Sequence, residues 1–344
     1  MSLSRPIKFP LLKLPWLCIK FVLHNWDELV IIYFATISNR TRRIVKSSSY
    51  PLKEIEVVLS GSSKIRFKDG LGKGKLWLFI HDKNADNGEF VLQLGSQPLR
   101  TSRHFDYWKG HHLQTSTTGD TPDALKMGIE FMIDVFGCTI GRVSVGGDRI
   151  SDFFKLGISS IKGLRISNPD SVNLEDLKYL LETIKVTDEY VFYVRIPKDF
   201  SCDPRIFKCR SLYFGPRSSA EWVTVELLCQ FDVPQFNFSY HRFSVEDVVF
   251  YVNHWFNSKN RKLEYVRFGF DNPISLEDFK IDHLNPMPFC EKRRSRRALR
   301  KSGPQTDMSS GKDILRQDGL LATLYAYPSS IFFYVWHKRF PDAV

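Results

Sequence analysis

The chain has 344 residues, 43% hydrophobic and 25% charged, which excludes a disordered or membrane-like composition and allows two or three domains. Its six cysteines (Cys18, Cys138, Cys202, Cys209, Cys229 and Cys290) form no CxxC pair, which argues against a zinc finger or disulfide framework and suits a reducing compartment. The formal charge of +11 is concentrated: residues 1–50 carry eight Lys/Arg against two Asp/Glu, and Lys292 to Lys301 (KRRSRRALRK) carry seven basic residues and no acidic one, so the remainder is slightly acidic.

Between Leu11 and Ile37, 19 of 27 residues are hydrophobic. Lys13, Lys20, Asp27 and Glu28 interrupt them, and the longest uncharged stretch, Leu29 to Asn39, is 11 residues. A spanning helix needs ~20. No small-residue cleavage site follows a single apolar core, so the segment does not read as a signal peptide either. It reads as short helices. Pro15 sits where a first turn tolerates proline, and Trp16 to His24 continue from it. Asp27 is placed to cap Glu28 to Thr36, and Ser38 to cap a last helix whose Arg40, Arg42, Arg43 and Lys46 suit its C-terminal end. Three such helices have too little volume to bury apolar residues on every face. Either a partner covers them or they pack onto the rest of the chain.

Phe9 to Lys46, FPLLKLPWLCIKFVLHNWDELVIIYFATISNRTRRIVK, resembles an F-box, in particular the nematode variety that opens with Phe-Pro-Leu-Leu and a Leu-Pro pair. The matching residues are Leu14-Pro15, Val22-Leu23, Asp27, and Ser38 with Arg40, Arg42 and Arg43. Where family members often carry an acidic residue after Leu-Pro, this chain has Trp16-Leu17-Cys18. The resemblance implies a three-helix F-box over residues 1–48. It would dock on a Skp-type adaptor of a cullin–RING ubiquitin ligase, with Leu14, Pro15, Leu17, Val22, Leu23 and Trp26 as adaptor-binding residues.

A short linker, Ser47 to Pro51, leads into four strand-like runs: Leu52 to Leu59, Lys64 to Lys68, Lys75 to His81 and Glu89 to Leu94. Their β-branched and aromatic content, with turns between, predicts an antiparallel meander. Gly70 to Lys75 (GLGKGK) has the look of a phosphate loop but runs into Leu76-Trp77-Leu78-Phe79-Ile80, a strand, where phosphate binding requires a helix N-terminus. A hairpin turn is the better reading. Arg100 to Asp120 is polar, with His104, His111 and His112, and reads as a solvated loop. Adjacent His111 and His112 would point apart on an extended chain and make a poor metal pair.

Beyond Thr121-Pro122 helices and strands alternate. Helices are predicted over Asp123 to Phe136, Asp148 to Leu156, Leu174 to Ile184, Glu221 to Cys229 and Val245 to Asn257. Strands are predicted over Gly141 to Val145, Ile161 to Ile166, Tyr190 to Ile196, Ser211 to Phe214, Gln235 to Tyr240 and Leu263 to Phe270. The later strands recur every 20–30 residues, the period of leucine-rich-type solenoids. Asn173-Leu-Glu-Asp176 and Ser244-Val-Glu-Asp247 both have the capping-box arrangement, each opening an amphipathic helix. Each unit ends in a similar strand, Tyr193-Val-Arg-Ile196 or Tyr265-Val-Arg-Phe268, and Ser275-Leu-Glu-Asp278 begins a third. The stripe of Val248, Val252, Trp255 and Phe256 predicts a core face. Such units stack into a curved array that binds partners along one face.

Phe250 to Tyr265 (FYVNHWFNSKNRKLEY) resembles the signature of the nematode F-box-associated type 2 domain, through His254-Trp255, Lys259, Arg261 and Leu263-Glu264-Tyr265. The predicted fold class is therefore α+β, an N-terminal three-helix F-box followed by a β meander and leucine-rich-like α/β repeats. The predicted divisions are 1–48, 49–120 and 121–344, the last carrying a basic loop over 291–304 and a C-terminal hairpin, Gly319 to Tyr327 with Ile331 to His337.

No GxSxG, HExxH, P-loop or CxxC motif occurs, and Cys202 and Cys209 lack a marked base, so no catalytic residue, metal or cofactor is nominated. The two resemblances imply a non-enzymatic, intracellular substrate receptor, in cytoplasm or nucleus, holding a protein target for a ligase. A nuclear protein using the basic run, with Lys292, Arg293, Arg294, Arg296 and Arg297 as an import signal or phosphate contacts, is the alternative. The acidic remainder of the chain disfavours nucleic-acid binding.

Overall fold

The computed structural model describes residues 11–67, 75–82, 89–94, 97–106, 110–167, 172–215, 220–239, 243–298 and 306–337. These form two compact units: Met1–Val143 with Asp152–Gly157, and Ser144–Ser151 with Ile158–Val344. No described helix is long and apolar enough to cross a membrane.

In the first unit the three N-terminal helices form where the capping residues place them. They are α1 (Trp16–His24), α2 (Glu28–Thr36) and α3 (Asn39–Ser48). Pro15 precedes α1, the Leu29 amide donates to Asp27 at 2.9 Å, and Ser38 and Thr41 cap α3 reciprocally. Leu23, Leu29, Ile31, Ile32, Ala35 and Val45 form their shared core. These helices also pack onto the strands and helix that follow. Six strands come next: β1 (Glu54–Ser60), β2 (Ser62–Phe67), β3 (Leu76–His81), β4 (Phe90–Leu94), β5 (Gln97–Asp106) and β6 (Gly110–Thr117). Helix α4 (Thr121–Phe136) packs on β2 and β3, so residues 121–143 side with this unit and not with the repeats they were expected to open. A Cβ on Gly128 would come within 2.5 Å of the Phe79 ring, so glycine sets how closely α4 approaches.

The strand order is β1-β2-β3-β6-β5-β4, not a simple meander. Strands β1, β2 and β3 are antiparallel, as are β4, β5 and β6, and the two sets join where β3 and β6 run parallel. Residues 68–74, most of the glycine-rich turn, lie outside the described residues. Their flanking strands β2 and β3 pair as a hairpin, so no helix follows. The polar stretch from Arg100 is a second hairpin and not a loop. Its hydroxyls satisfy one another in the interior: Thr101 pairs with Thr115 at 2.8 Å, and the Trp77 indole donates to Thr115 at 2.8 Å. His111 lies against Phe105 on one face while His112 stacks on His104 on the other, as alternation requires.

The chain passes into the second unit within β7 (Thr139–Gly146), returns to the first within α5 (Ile150–Lys155), and from Ile158 stays in the second. Five parallel strands are neighbours in chain order: β8 (Ser160–Ser167), β9 (Lys185–Tyr193), β10 (Ser211–Phe214), β11 (Gln235–Phe238) and β12 (Tyr265–Gly269). Helices α6 (Leu174–Thr183), α7 (Val225–Leu228) and α8 (Val245–Asn257) lie in three of the crossovers. The helix expected over Glu221 to Cys229 shrinks to α7, a single turn capped by Thr224. A ladder of rings holds the strands in register. Phe192, Phe214, Phe238 and Phe268 are successive partners, stacked 5.2, 5.0 and 5.8 Å apart and within 16° of parallel. Register also corrects the overlay of the two Tyr-Val-Arg strands: Phe268 aligns with Phe192, four residues before Ile196. The third repeat start forms its Ser275–Asp278 capping box on one 3-10 turn, which ends because Phe279 turns extended and is buried.

Helix α8 keeps its predicted bounds. The Ser244–Asp247 capping box starts it, and Val248, Tyr251, Val252 and Trp255 are buried, whereas Phe256 is only half-buried. Trp255 meets Phe333 edge-on at 5.0 Å and carries the Arg316 guanidinium over its ring at 4.8 Å.

In the described part of the basic segment Arg294 and Ala298 are buried, while Lys292, Ser295, Arg296 and Arg297 are exposed. Short strand β13 (Arg297–Ala298), within it, pairs with β14 (Thr306–Asp307) beyond it, followed by β15 (Lys312–Leu315), β16 (Leu321–Tyr327) and β17 (Ser330–Trp336). The hairpin β16–β17 adds antiparallel to β12, with Phe332, Phe333 and Trp336 buried. Arg294 is 1% exposed. Its Nε donates to Asp313 at 2.7 Å, a terminal nitrogen donates to the Met308 carbonyl at 2.9 Å, and its plane lies between Phe289 and Trp336, at 4.6 and 5.1 Å. Arg294 is drawn inward from the basic segment because β15 buries an aspartate that requires a cation. Residues 299–305 lie outside the described residues.

Candidate functional site

Two surfaces, one in each unit, have the chemistry of binding sites. On the first unit it is the outward stripe of α1. Successive turns turn Ile19 and Leu23 inward and leave Leu17 77% and Phe21 73% exposed, with Trp16, Pro15 and Cys18 beside them. Residues four apart share a helix face, so Leu17 and Phe21 form one apolar ridge. The predicted adaptor residues divide accordingly. Pro15 and Leu17 lie on the ridge, and Leu14 and Val22 are half-buried. Trp26 is half-buried with its ring edge-on to Phe34 at 5.2 Å. Leu23 is fully buried and belongs to the helical core, a correction to its place among surface contacts. Phe21 and Trp16, exposed on the same helix, were not among the predicted residues. The period from Leu17 would have found Phe21, had the apolar residues of α1 been sorted by face.

Several polar contacts fix the orientation of this ridge within its unit. Lys75 pairs with Asp27 and Glu28, which start α2. Arg42 and Lys46 reach Asp134 on α4 at 2.8 and 2.7 Å, and Arg42 also lies over Phe131. Hydrogen bonds from Lys46 and then Arg42 hold the Asp134 carboxyl below the usual carboxylate range. The Tyr50 hydroxyl donates to the Trp26 carbonyl at 3.0 Å, and burial, then Glu28, pushes its pKa up to about 12.

The surface on the second unit is one face of the parallel strands. Alternate residues point into the phenylalanine ladder, which α8, Phe207, Trp222 and Phe243 cover. The others, Arg165, Tyr193, Tyr213, Asn237 and Arg267, lie on the opposite face and are partly exposed.

The predicted import residues do not form one accessible stretch. Lys292 and Arg297 are exposed, Arg293 is half-buried, Arg294 is buried, and Arg296 pairs with Asp307 at 2.8 Å. Burial pushes the thiols of Cys202 and Cys209 up to about 12, so at neutral pH each is a protonated core side chain and not a nucleophile.

Residues 204–268, which include β10 to β12 and α8, match the F-box-associated family. The segment that carried the sequence resemblance, Phe250 to Tyr265, lies inside the match. Among similar proteins are two from Caenorhabditis elegans. Uncharacterized protein F59B2.8 is 33% identical over 132 residues, covering 36% of this chain and 30% of the relative. Uncharacterized protein F59B2.9 is 29% identical over the same shares. The match thus spans under a third of either relative's length. No solved structure matches the chain.

Proposed function

We propose that this chain is the substrate-recognition subunit of a Skp/cullin/F-box ubiquitin ligase. Residues 1–48 act as the F-box that engages a Skp-type adaptor, and the second unit holds a protein target. One observation carries the reading: the F-box-like segment presents Leu17 and Phe21 to solvent, in a chain whose residues 204–268 match the F-box-associated family. The chain contributes no catalysis of its own. Holding the target beside the transfer machinery raises its effective concentration there, and the other subunits move the ubiquitin. Adaptor and target place this activity inside the cell. The nucleic-acid alternative loses support from Arg294, which is committed to Asp313.

The test is co-purification of the full chain with a Skp-type adaptor. Wild type should bind, and Leu17→Ala with Phe21→Ala should reduce binding at least tenfold, since exposed apolar anchors commonly contribute ~2 kcal/mol each. Its melting temperature should stay that of wild type, whereas Leu23→Ala should lower it. Wild type that fails to bind the adaptor, or a double variant that binds equally well, ends this reading.

A further inference from the structure

Across β8 to β12 the outward face holds a row of register partners: Arg165, Val191, Tyr213, Asn237 and Arg267. The two arginines at its ends are held without a carboxylate among the described residues. Arg165 lies over the Tyr193 ring at 5.1 Å, and its Nε is buried with no hydrogen-bond partner. Arg267 lies over Phe332 at 5.7 Å and donates only to the Ser330 hydroxyl, at 3.2 and 3.3 Å. Three other arginines of this unit are neutralised: Arg210 by Glu264, Arg294 by Asp313, Arg316 by Asp318. Between the two arginines, Tyr193 and Tyr213 lie ring to ring at 5.7 Å, and the Asn237 Oδ1 acceptor has no donor. Tyrosine and arginine are the residues that dominate protein interfaces.

We propose that this face binds an extended acidic segment of a protein target, with one carboxylate on Arg165, a second on Arg267, and the intervening chain over Tyr193 and Tyr213. Arginine matches a carboxylate with two parallel donors, and a stacked guanidinium is already oriented for it. Four strand spacings separate the arginines, ~19 Å, which an extended peptide covers in about six residues. A backbone amide midway would satisfy Asn237. Glu189, the register partner of Gly163, lies one row toward the strand starts, and Glu264, which precedes β12, is paired with Arg210, so the attraction for acid is centred on the row of the two arginines. The inference deepens the substrate-receptor reading by naming the chemistry of the target, and its test does not involve the adaptor.

The probe is a fluorescein-labelled heptapeptide, Glu-Gly-Ser-Leu-Ser-Gly-Glu, measured by anisotropy against the full chain. Peptides with the glutamates two residues apart, or replaced by glutamine, and a single-stranded oligonucleotide serve as comparisons. The six-residue spacing should bind best, and binding should weaken with salt. Arg165→Gln and Arg267→Gln should each lose roughly tenfold in affinity. Exchanging both arginines for glutamate should transfer preference to the heptapeptide carrying lysines at its ends, a gain that misfolding cannot produce. The proposal is overturned if wild type ignores the heptapeptide, if spacing has no effect, if the glutamine variants bind it equally, or if the oligonucleotide binds as well through the same arginines. Peptide binding without adaptor binding would leave this inference standing and remove the ligase reading; the converse would do the opposite.

Discussion

Replacing Asp313 by alanine should lower the melting temperature of the second unit sharply. The Asp313 carboxylate is fully buried, and it accepts from Arg294 at 2.7 Å and from the Thr323 hydroxyl at 2.8 Å. Thr323 in turn accepts from the Trp336 indole at 2.8 Å, so one carboxylate anchors a cation, a hydroxyl and an aromatic ring. Removing it leaves the Arg294 charge buried with only carbonyl oxygens as acceptors. Breaking one side of a buried pair costs about 3–5 kcal/mol. In a unit of this size 1 kcal/mol moves the midpoint by ~2–4 °C, so the drop should be roughly 10 °C. Removing both charges, Asp313→Leu with Arg294→Met, should recover much of the loss, because apolar residues of similar volume replace buried pairs with little penalty. Differential scanning calorimetry on the full chain, with both single variants and the double variant, completes the cycle. An Asp313→Ala protein that melts with wild type, or a double variant as unstable as the sum of the singles, would refute the buried-pair account.

Trp255→Ala should cost about 3–5 kcal/mol through the cavity left against Phe333, read as a lowered denaturation midpoint in urea. Asp134, held below the usual carboxylate range, contributes stability above an unfolded pKa of ~3.9 and loses it as pH falls through its folded value. Asp134→Asn should therefore flatten the acid limb of the first unit's stability, measured by fluorescence between pH 5 and pH 2; an unchanged acid limb would remove that linkage. Native alkylation at pH 8 should label exposed Cys18 and spare Cys202 and Cys209, which mass spectrometry of the modified peptides can verify.

Local signals were legible where the chain settles its own geometry. Ser244 with Asp247 and the apolar stripe behind them define α8 to the residue, and Asp27 and Ser38 mark the starts of α2 and α3. Partners distant in sequence decided the rest. Nothing near Thr101 or Thr115 shows that they bond each other, or that Thr115 accepts from the Trp77 indole 38 residues away, so a buried hairpin looked like a solvated loop. Arg294 is a surface residue by its neighbours and a core residue because of Asp313, 19 positions on. The repeated Tyr-Val-Arg misled by four residues because ring stacking, not motif identity, sets the register. Of the α1 surface, Pro15 and Leu17 were legible; Phe21 required sorting apolar residues by helix face.

The fastening of the N-terminal helices to α4 and to the strand hairpins has a consequence for how such chains can be cut and recombined. Excision of residues 1–50 would strip the ion partners from Asp134 and Lys75 and remove the Tyr50 ring from Phe136 and Tyr33 from Phe90. The remnant would present a fresh apolar scar where those helices had lain, and a protein of that kind aggregates before any change in its binding can be interpreted. Grafting the helices onto another protein meets the mirror problem, since their buried side needs α4. What can be transferred is the first unit as a whole, Met1–Val143 with Asp152–Gly157, and not its helices alone.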